Sequence, residues 1–167
     1  MMKADVSVIM PAAGLSLRMG ASVRKPFIMI GGKPVFFYTL EKFYKLKRIK
    51  EIIFVVNKED LSTVIEKWSN ELKVYKVTKI IAGGERRQDS VYQGLSQLDP
   101  DTRIVLIHDA VRPLVKSREI EEVIERADQK GAAILASPMK LTVKKVNSSL
   151  EIIKTVPRHD LWMAQTP

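Results

Sequence analysis

Three short clusters hold the residue types that could do chemistry. The first is Pro11-Ala12-Ala13-Gly14, followed by Arg18, Arg24 and Lys25. Small residues let backbone N–H groups approach a ligand closely, and cations just beyond them suit a polyphosphate. The second is Gly83-Gly84-Glu85-Arg86-Arg87-Gln88-Asp89-Ser90, a glycine turn leading into a helix start. Backbone donors and the helix dipole there favour an anion or a base carbonyl, and Arg87 and Ser90 add side-chain donors. The third is His108-Asp109-Ala110-Val111-Arg112-Pro113. Asp109 suits a Mg²⁺ that bridges phosphates, and Arg112 can fork onto a second phosphate. His108 reads as structural, since no nucleophile stands near it to be activated. A fourth run, Thr155 to Pro167, is dense in polar donors; Arg158 can bind phosphate and Trp162 reads as packing. Each cluster also has a plainer reading. The loops can be ordinary links with solvated cations, Asp109 can cap its turn and pair with Arg112, and Arg158 can pair with Asp160.

The elements between the clusters alternate. Val6 to Met10 is an apolar run that reads as a buried strand ending at Pro11. Phe27 to Ile30 is strand-like, and Gly31-Gly32-Lys33 is a turn. Pro34 opens a helix whose stripe is Val35, Phe36, Tyr38, Leu40, Phe43 and Tyr44. Ile52 to Val56 is a strand, Asp60 opens a second helix, and Val77 to Ala82 is a third strand. Asp89 to Leu98 looks helical and Ile104 to Ile107 is another buried strand. Ser117 is the expected N-cap of a helix ended by Gly131, and Ala132 to Ala136 returns as a strand. Continuous apolar strands separated by amphipathic helices predict an α/β fold, a mostly parallel Rossmann-like sheet with helices on both faces. Ligands of such sheets bind beyond the carboxyl ends of the strands. The loops Pro11–Lys25, Gly83–Ser90 and His108–Pro113 should therefore share one rim. From Leu141 to Ile153 the pattern changes to a hairpin with polar faces, turning at Asn147-Ser148-Ser149. A hairpin alone is marginal, so it must pack on the body or on another subunit.

The 167 residues, 46% hydrophobic and 28% charged, fit one ordinary globular domain, 1–167, and argue against disorder. With no cysteine and two histidines, disulfides, thiolate metal sites and a zinc site are excluded or disfavoured. No apolar run approaches a membrane span, and Met1 to Asp5 leaves no room for a signal peptide before the first strand. A cytoplasmic protein is expected. The net charge of +9 attracts anions: nucleic acid, a membrane surface or phosphorylated small molecules. Without an RNA-binding signature or an aromatic-and-basic platform, small anionic substrates rank first, with no nucleic acid and no membrane partner.

Taken in order, the motifs resemble those of the 2-C-methyl-D-erythritol 4-phosphate cytidylyltransferases of the non-mevalonate isoprenoid pathway. The resemblance runs through Pro11–Gly14, Lys25, Gly83-Gly84 with Arg87 and Ser90, His108-Asp109-Ala110 with Arg112-Pro113, and Thr155, Arg158, Leu161-Trp162 and Gln165-Thr166-Pro167. It implies attack of a methylerythritol phosphate on the α-phosphorus of CTP, with pyrophosphate leaving. Carried over by position, it implies that Ala12, Ala13 and Gly14 line the nucleotide and that Arg18 and Lys25 are the catalytic cations. Gly83 and Ser90 would meet the cytosine and ribose. Asp109 would contact Mg²⁺, or another divalent cation, or the substrate, with Arg112 beside it. Thr142 and Arg158 would bind substrate from a dimerisation arm, about 139–158, reaching into the partner's site of a homodimer.

The resemblance departs in three places. Ser16 stands where a second glycine is usual, and Leu141 where an acidic residue usually precedes Thr142. Family members continue past Pro167 with a strand-and-helix portion bearing a substrate-contacting lysine and acidic residue. The expectation is that this C-terminal portion is absent here and catalysis impaired. Two other functions compete: a ribitol or other alditol-phosphate cytidylyltransferase, and a nucleotide-binding module without catalysis. Ribitol-type loops tend to begin with leucine and two glycines, which Pro11-Ala12-Ala13-Gly14 does not.

Overall fold

The computed structural model describes residues 4–14 and 23–165; Ser16 and the candidate Arg18 lie outside the described residues. The chain forms two compact units, the first running to Ala133 and the second from Ile134 to Thr166.

In the first unit the apolar run becomes strand β1 (Val6–Pro11), with Val6, Val8, Ile9 and Met10 all fully buried. Strands β4 (Ile49–Val56) and β6 (Ile104–Ile107) pair with it on either edge, and β5 (Val77–Ala82) pairs with β4. All three pairings are parallel, with Ile9 level with Ile53 and with Ile107. The strands therefore point one way, and their carboxyl ends share a rim as expected.

The pleat decides which helix covers which face. Ile9, Ile53 and Val55 point to one side, packed with Ile81, Leu98 and Val105. Helix α3 (Arg87–Leu95) crosses there, and Gly94 lies so close to β1 that a Cβ on it would come 2.6 Å from Ile9 Cγ2. Phe54 points the opposite way and meets Phe36 of α1 (Val35–Phe43) at a ring separation of 5.1 Å. Trp68 of α2 (Leu61–Val74) closes on Phe36 edge-on at 5.4 Å. Phe36, Phe43 and Phe54 are fully buried, each stabilising the fold by about 1.5–3 kcal/mol, enough to fix α1 on this face. Helix α4 (Ser117–Lys130) buries Ile120, Val123 and Ile124.

Local differences from expectation have local causes. Phe27 does not start a strand: Lys25–Phe27 is a single 3-10 turn, because Pro26 cannot donate to a ladder and Phe27 stacks on Trp68. The short strands β2 (Met29–Ile30) and β3 (Lys33–Pro34) follow and pair with each other. On α1, Phe37 and Thr39 are buried rather than Tyr38, whose hydroxyl donates to the Ile30 carbonyl. Lys116, not Ser117, holds the N-cap position of α4; Glu119 accepts its backbone N–H, and the Ser117 hydroxyl donates to the Lys42 carbonyl.

The second unit contains two antiparallel pairs. Strand β7 (Leu135–Pro138) pairs with β10 (Trp162–Gln165), not with the parallel sheet, so the strand expected at Ala132–Ala136 is displaced. Strands β8 (Val143–Val146) and β9 (Ile152–Val156) form the expected hairpin. Its turn is held by Asn147 Oδ1, which accepts from the Ser149 and Glu151 amides. Trp162 is 60% exposed, so the packing reading fails within this unit; two-stranded pairs supply no second layer to enclose an indole.

At the rim opposite the strand ends, Arg48 forks onto Asp5 at 3.0 and 2.8 Å. That pairing holds the Asp5 carboxyl below its usual range, against a burial effect in the other direction. A lowered carboxyl stabilises the fold above the unfolded value near 3.8, and this stabilisation disappears as pH falls through the folded value. We expect Asp5→Asn to lower unfolding free energy by about 1–3 kcal/mol at pH 7, and the gap to the unmodified chain to close as pH falls below about 3.8. Urea unfolding across that range measures it; a gap independent of pH would refute the assignment.

Candidate active site

Three backbone contacts extend the sheet's pairing beyond the strand ends. The Ala12 N–H donates to the Val55 carbonyl at 2.7 Å, Gly83 N–H to Val56 at 2.7 Å, and Ala110 N–H to Pro11 at 3.0 Å. Each of the three loops is thereby fixed within its first three residues to the neighbouring strand. A cleft of about 470 Å³ opens among them. It brings together Ala12, Ala13, Gly14, Lys25, Ser90 and Asp109, six of the candidates, with Gly84, Arg86 and Arg87 beside them. Gly83 supports the cleft rather than lining it. A Cβ there would come 2.6 Å from Ser90 Oγ and 2.7 Å from Ala13 Cβ, so only glycine lets these two loops meet.

Ser90 is 2% exposed, and its hydroxyl accepts from the Gly84 N–H at 3.2 Å. It shapes the glycine turn from below. Arg86 closes the helix start: its N–H donates to Asp89 Oδ2 and its guanidinium pairs with the same carboxylate. Arg87 reaches across to Asp109, its Nε donating to Oδ1 at 2.9 Å. Arg112 Nε donates to Asp109 Oδ2 at 3.2 Å. Asp109 thus stands between two guanidiniums, so the plainer reading of an Asp109–Arg112 pair is part of the picture, with Arg87 added.

Lys25 sits on the cleft edge in the 3-10 turn and is anchored from both sides. Pro26 is buried behind it. Arg24 in front pairs with Glu59 and, at 2.5 Å, with Asp60 Oδ1. Arg24 was expected to face a polyphosphate; the two carboxylates at the start of α2 draw it away, and they hold its pKa above the usual arginine value. Asp60 accordingly makes no side-chain cap on its own helix.

His108 is fully buried against Phe43, ring centroids 4.8 Å apart. Its Nε2 lies 3.1 Å from the Arg112 carbonyl. A carbonyl only accepts, so Nε2 carries the proton. Burial pushes the imidazole pKa down, keeping the ring neutral. The structural reading of His108 holds.

Among the described residues, no three His, Cys, Asp or Glu side chains converge as a cage. Two carboxylates line the cleft, Asp109 and Glu85, and a hard cation such as Mg²⁺ is commonly held by one or two carboxylates together with substrate phosphates.

Thr142 and Arg158 belong to the second unit. Both are exposed and flank the open end of the β8–β9 hairpin, where Val143 pairs with Val156. Arg158 donates to the Lys140 carbonyl rather than pairing with Asp160, which pairs with His159.

Sequence reasoning missed Asn57, whose side-chain N–H donates to the Ala13 carbonyl at 3.3 Å. It directly follows β4, and the rule that flagged the residues after three other strands would have found it. Replacing Gly83 by Ala should abolish detectable nucleotide binding while the chain still folds, read by calorimetry with CTP beside circular dichroism. Unchanged affinity would show that the two loops need not touch.

Comparisons with known proteins agree with one another. The 2-C-methyl-D-erythritol 4-phosphate cytidylyltransferase family profile matches residues 6–167. The enzyme of that name from Halalkalibacterium halodurans is 40% identical over 163 residues, 98% of this chain and 70% of the relative. The one from Clostridium botulinum strain Loch Maree is 44% identical over 164 residues, 96% of this chain and 70% of the relative. A crystal structure of 4-diphosphocytidyl-2C-methyl-D-erythritol synthase from Anaerococcus prevotii superposes with a TM-score of 0.81 at 32% identity, covering 97% of this chain and 67% of that one.

Proposed function

The chain belongs to the 2-C-methyl-D-erythritol 4-phosphate cytidylyltransferase family, and from that premise we propose that it makes 4-diphosphocytidyl-2-C-methyl-D-erythritol and pyrophosphate from CTP and 2-C-methyl-D-erythritol 4-phosphate. The observation that carries this is the single cleft in which small-residue backbone, Lys25, Arg87 and Asp109 meet at the carboxyl rim of a parallel sheet.

A phosphate oxygen of the alditol phosphate forms a bond to the α-phosphorus of CTP, and the α–β bridging P–O bond breaks as pyrophosphate departs. The attacker is already an anion, so no general base is required; alignment and charge neutralisation dominate. The buried, neutral His108 agrees with that, as it can take no part as a base from beneath the loop. Ala12, Ala13 and Gly14 give the backbone surface for the nucleotide, and Gly83 and Ser90 shape the side that takes cytosine and ribose. Lys25, with Arg18, neutralises the triphosphate and the charge that develops at the α-phosphorus. Asp109 would hold Mg²⁺ together with phosphate oxygens, the ion supplying further charge neutralisation. Arg112, beside Asp109, is the cation for a substrate phosphate.

The second unit is read as an arm of the same catalytic domain. Thr142 and Arg158 would contact the alditol phosphate bound to a second copy of the chain, making the active form a homodimer. Supporting this, the unit leaves Leu141, Leu150, Ile152 and Trp162 exposed, and exposed apolar side chains mark interaction surfaces where they cluster. The setting that suits these substrates is the cytoplasm.

Pyrophosphate release with CTP and each of two sugar phosphates tests the reaction. Turnover of ribitol phosphate alone would overturn the assignment, and CTP binding without pyrophosphate release would leave a non-catalytic nucleotide module. Lys25→Ala and Arg18→Ala should each lower kcat by about 10²–10³, because each removes a cation from the transition state. Wild-type rates in either would exclude the loop from catalysis. The arm has its own test. Mixing Lys25→Ala and Arg158→Ala chains should restore about a quarter of the activity, since half the dimers then hold one intact composite site. No recovery would place arm and site in the same copy.

A further inference from the structure

We infer that Thr39 and His108 are positioning residues for this reaction, two buried donors that clamp the loop carrying Asp109 and Arg112. The inference rests on the function proposed above. Both side chains are fully buried, and neither lines the cleft. Thr39 lies in the middle of α1, where a threonine hydroxyl ordinarily bonds to a carbonyl one turn back in its own helix. Here Oγ1 donates instead to the Ala110 carbonyl at 2.7 Å, a residue 71 positions away. His108 Nε2 donates to the Arg112 carbonyl at 3.1 Å.

These two bonds complete a frame around Asp109. The His108 amide is tied to the Ile9 carbonyl at 3.0 Å and the Ala110 amide to the Pro11 carbonyl at 3.0 Å. The carboxylate is thus set by four contacts on the residues around it: two to the end of β1, one to α1 and one to the imidazole. The His108 ring leaves Nδ1 buried with no partner. An apolar ring would fill the same space beside Phe43 without burying an unsatisfied nitrogen. What only the imidazole supplies is the N–H to Arg112. The same holds for Thr39: valine has its shape and lacks only the hydroxyl.

A displacement of about 1 Å in a positioned group can reduce turnover 10²-fold without preventing binding. The side-chain hydrogen bonds of both clamp residues go to the loop after β6, not to Gly83 or Ser90 on the side proposed for cytosine and ribose. Loss of a clamp should therefore lower kcat and spare the KM for CTP.

The test uses the full chain with four substitutions. Thr39→Val and His108→Phe remove the donors and keep the shape; Thr39→Ser and His108→Gln restore a donor. We expect the first two to lower kcat about 10–100-fold with KM for CTP within about threefold, and the second two to recover most of the rate. Wild-type kcat in Thr39→Val and His108→Phe overturns the clamp. So does a loss that Thr39→Ser and His108→Gln fail to repair, since that identifies packing alone. Pyrophosphate release by the unmodified chain is measured first, and its absence refutes the reaction rather than the clamp. In that case amide exchange decides. Faster exchange at Ala110 and Arg112, with the strands unchanged, supports the clamp; exchange unchanged at both overturns it.

Discussion

The site depends on the parallel pairing of β1 along both of its edges. One buried strand fixes β4 on one side and β6 on the other, and the pairing continues past the strand ends through Ala12, Gly83 and Ala110. A shift of one residue between β1 and β4 would leave Ile9 and Ile53 on opposite faces, taking one of them away from α3. The apolar pleat and the position of the loops are therefore one constraint. The requirement that buries Ile9 and Phe54 on opposite faces also sets Asp109 across the cleft from the Ala12–Gly14 backbone.

Charge at the rim is distributed by the same geometry. Arg24 and Lys25 are adjacent in sequence but have different work. Arg24 is drawn to Glu59 and Asp60, while Lys25, held between it and the buried Pro26, stays at the cleft. Arg86 closes its own helix start against Asp89, while Arg87, one residue on, crosses to Asp109. Of each adjacent pair, one cation is held by carboxylates at a helix start, Arg24 by Glu59 and Asp60 and Arg86 by Asp89, although Arg86 still lines the cleft with Arg87. Asp109 balances the guanidiniums of Arg87 and Arg112.

Much of this was legible in the sequence. Continuous apolar strands between amphipathic helices specify a covered parallel sheet, and that rule alone predicts a common rim for Pro11–Lys25, Gly83–Ser90 and His108–Pro113. What was not legible is what depends on tertiary partners. Arg24 reads as a phosphate contact until Glu59 and Asp60 are placed beside it. Helical periodicity fits Tyr38 as well as Thr39 to the inner stripe of α1, and only Phe36 wedged against Phe54 and Trp68 fixes the rotation. Ala132 to Ala136 is apolar enough for a strand, but strand propensity does not choose between the parallel sheet and β10. The exposed Trp162 follows from that pairing, since composition assigns tryptophan to a core that this unit lacks.

The division of the site into a ligand-facing layer and a buried supporting layer follows from the chemistry proposed for it. Transfer to an anionic nucleophile needs no residue poised to gain or lose a proton, so the demand falls on rigidity. Rigidity of a loop comes from bonds to its own backbone, and neighbouring side chains can supply the donors its carbonyls need. The Ala110 and Arg112 carbonyls find theirs in Thr39 and His108, and the Ala13 carbonyl in Asn57. Thr39 and His108 are buried polar side chains that donate to the loop after β6, while Asn57 also caps the turn that follows by accepting the Glu59 N–H at 3.0 Å. Polar residues that seem misplaced by the periodicity of the fold are, in this chain, those that hold its loops.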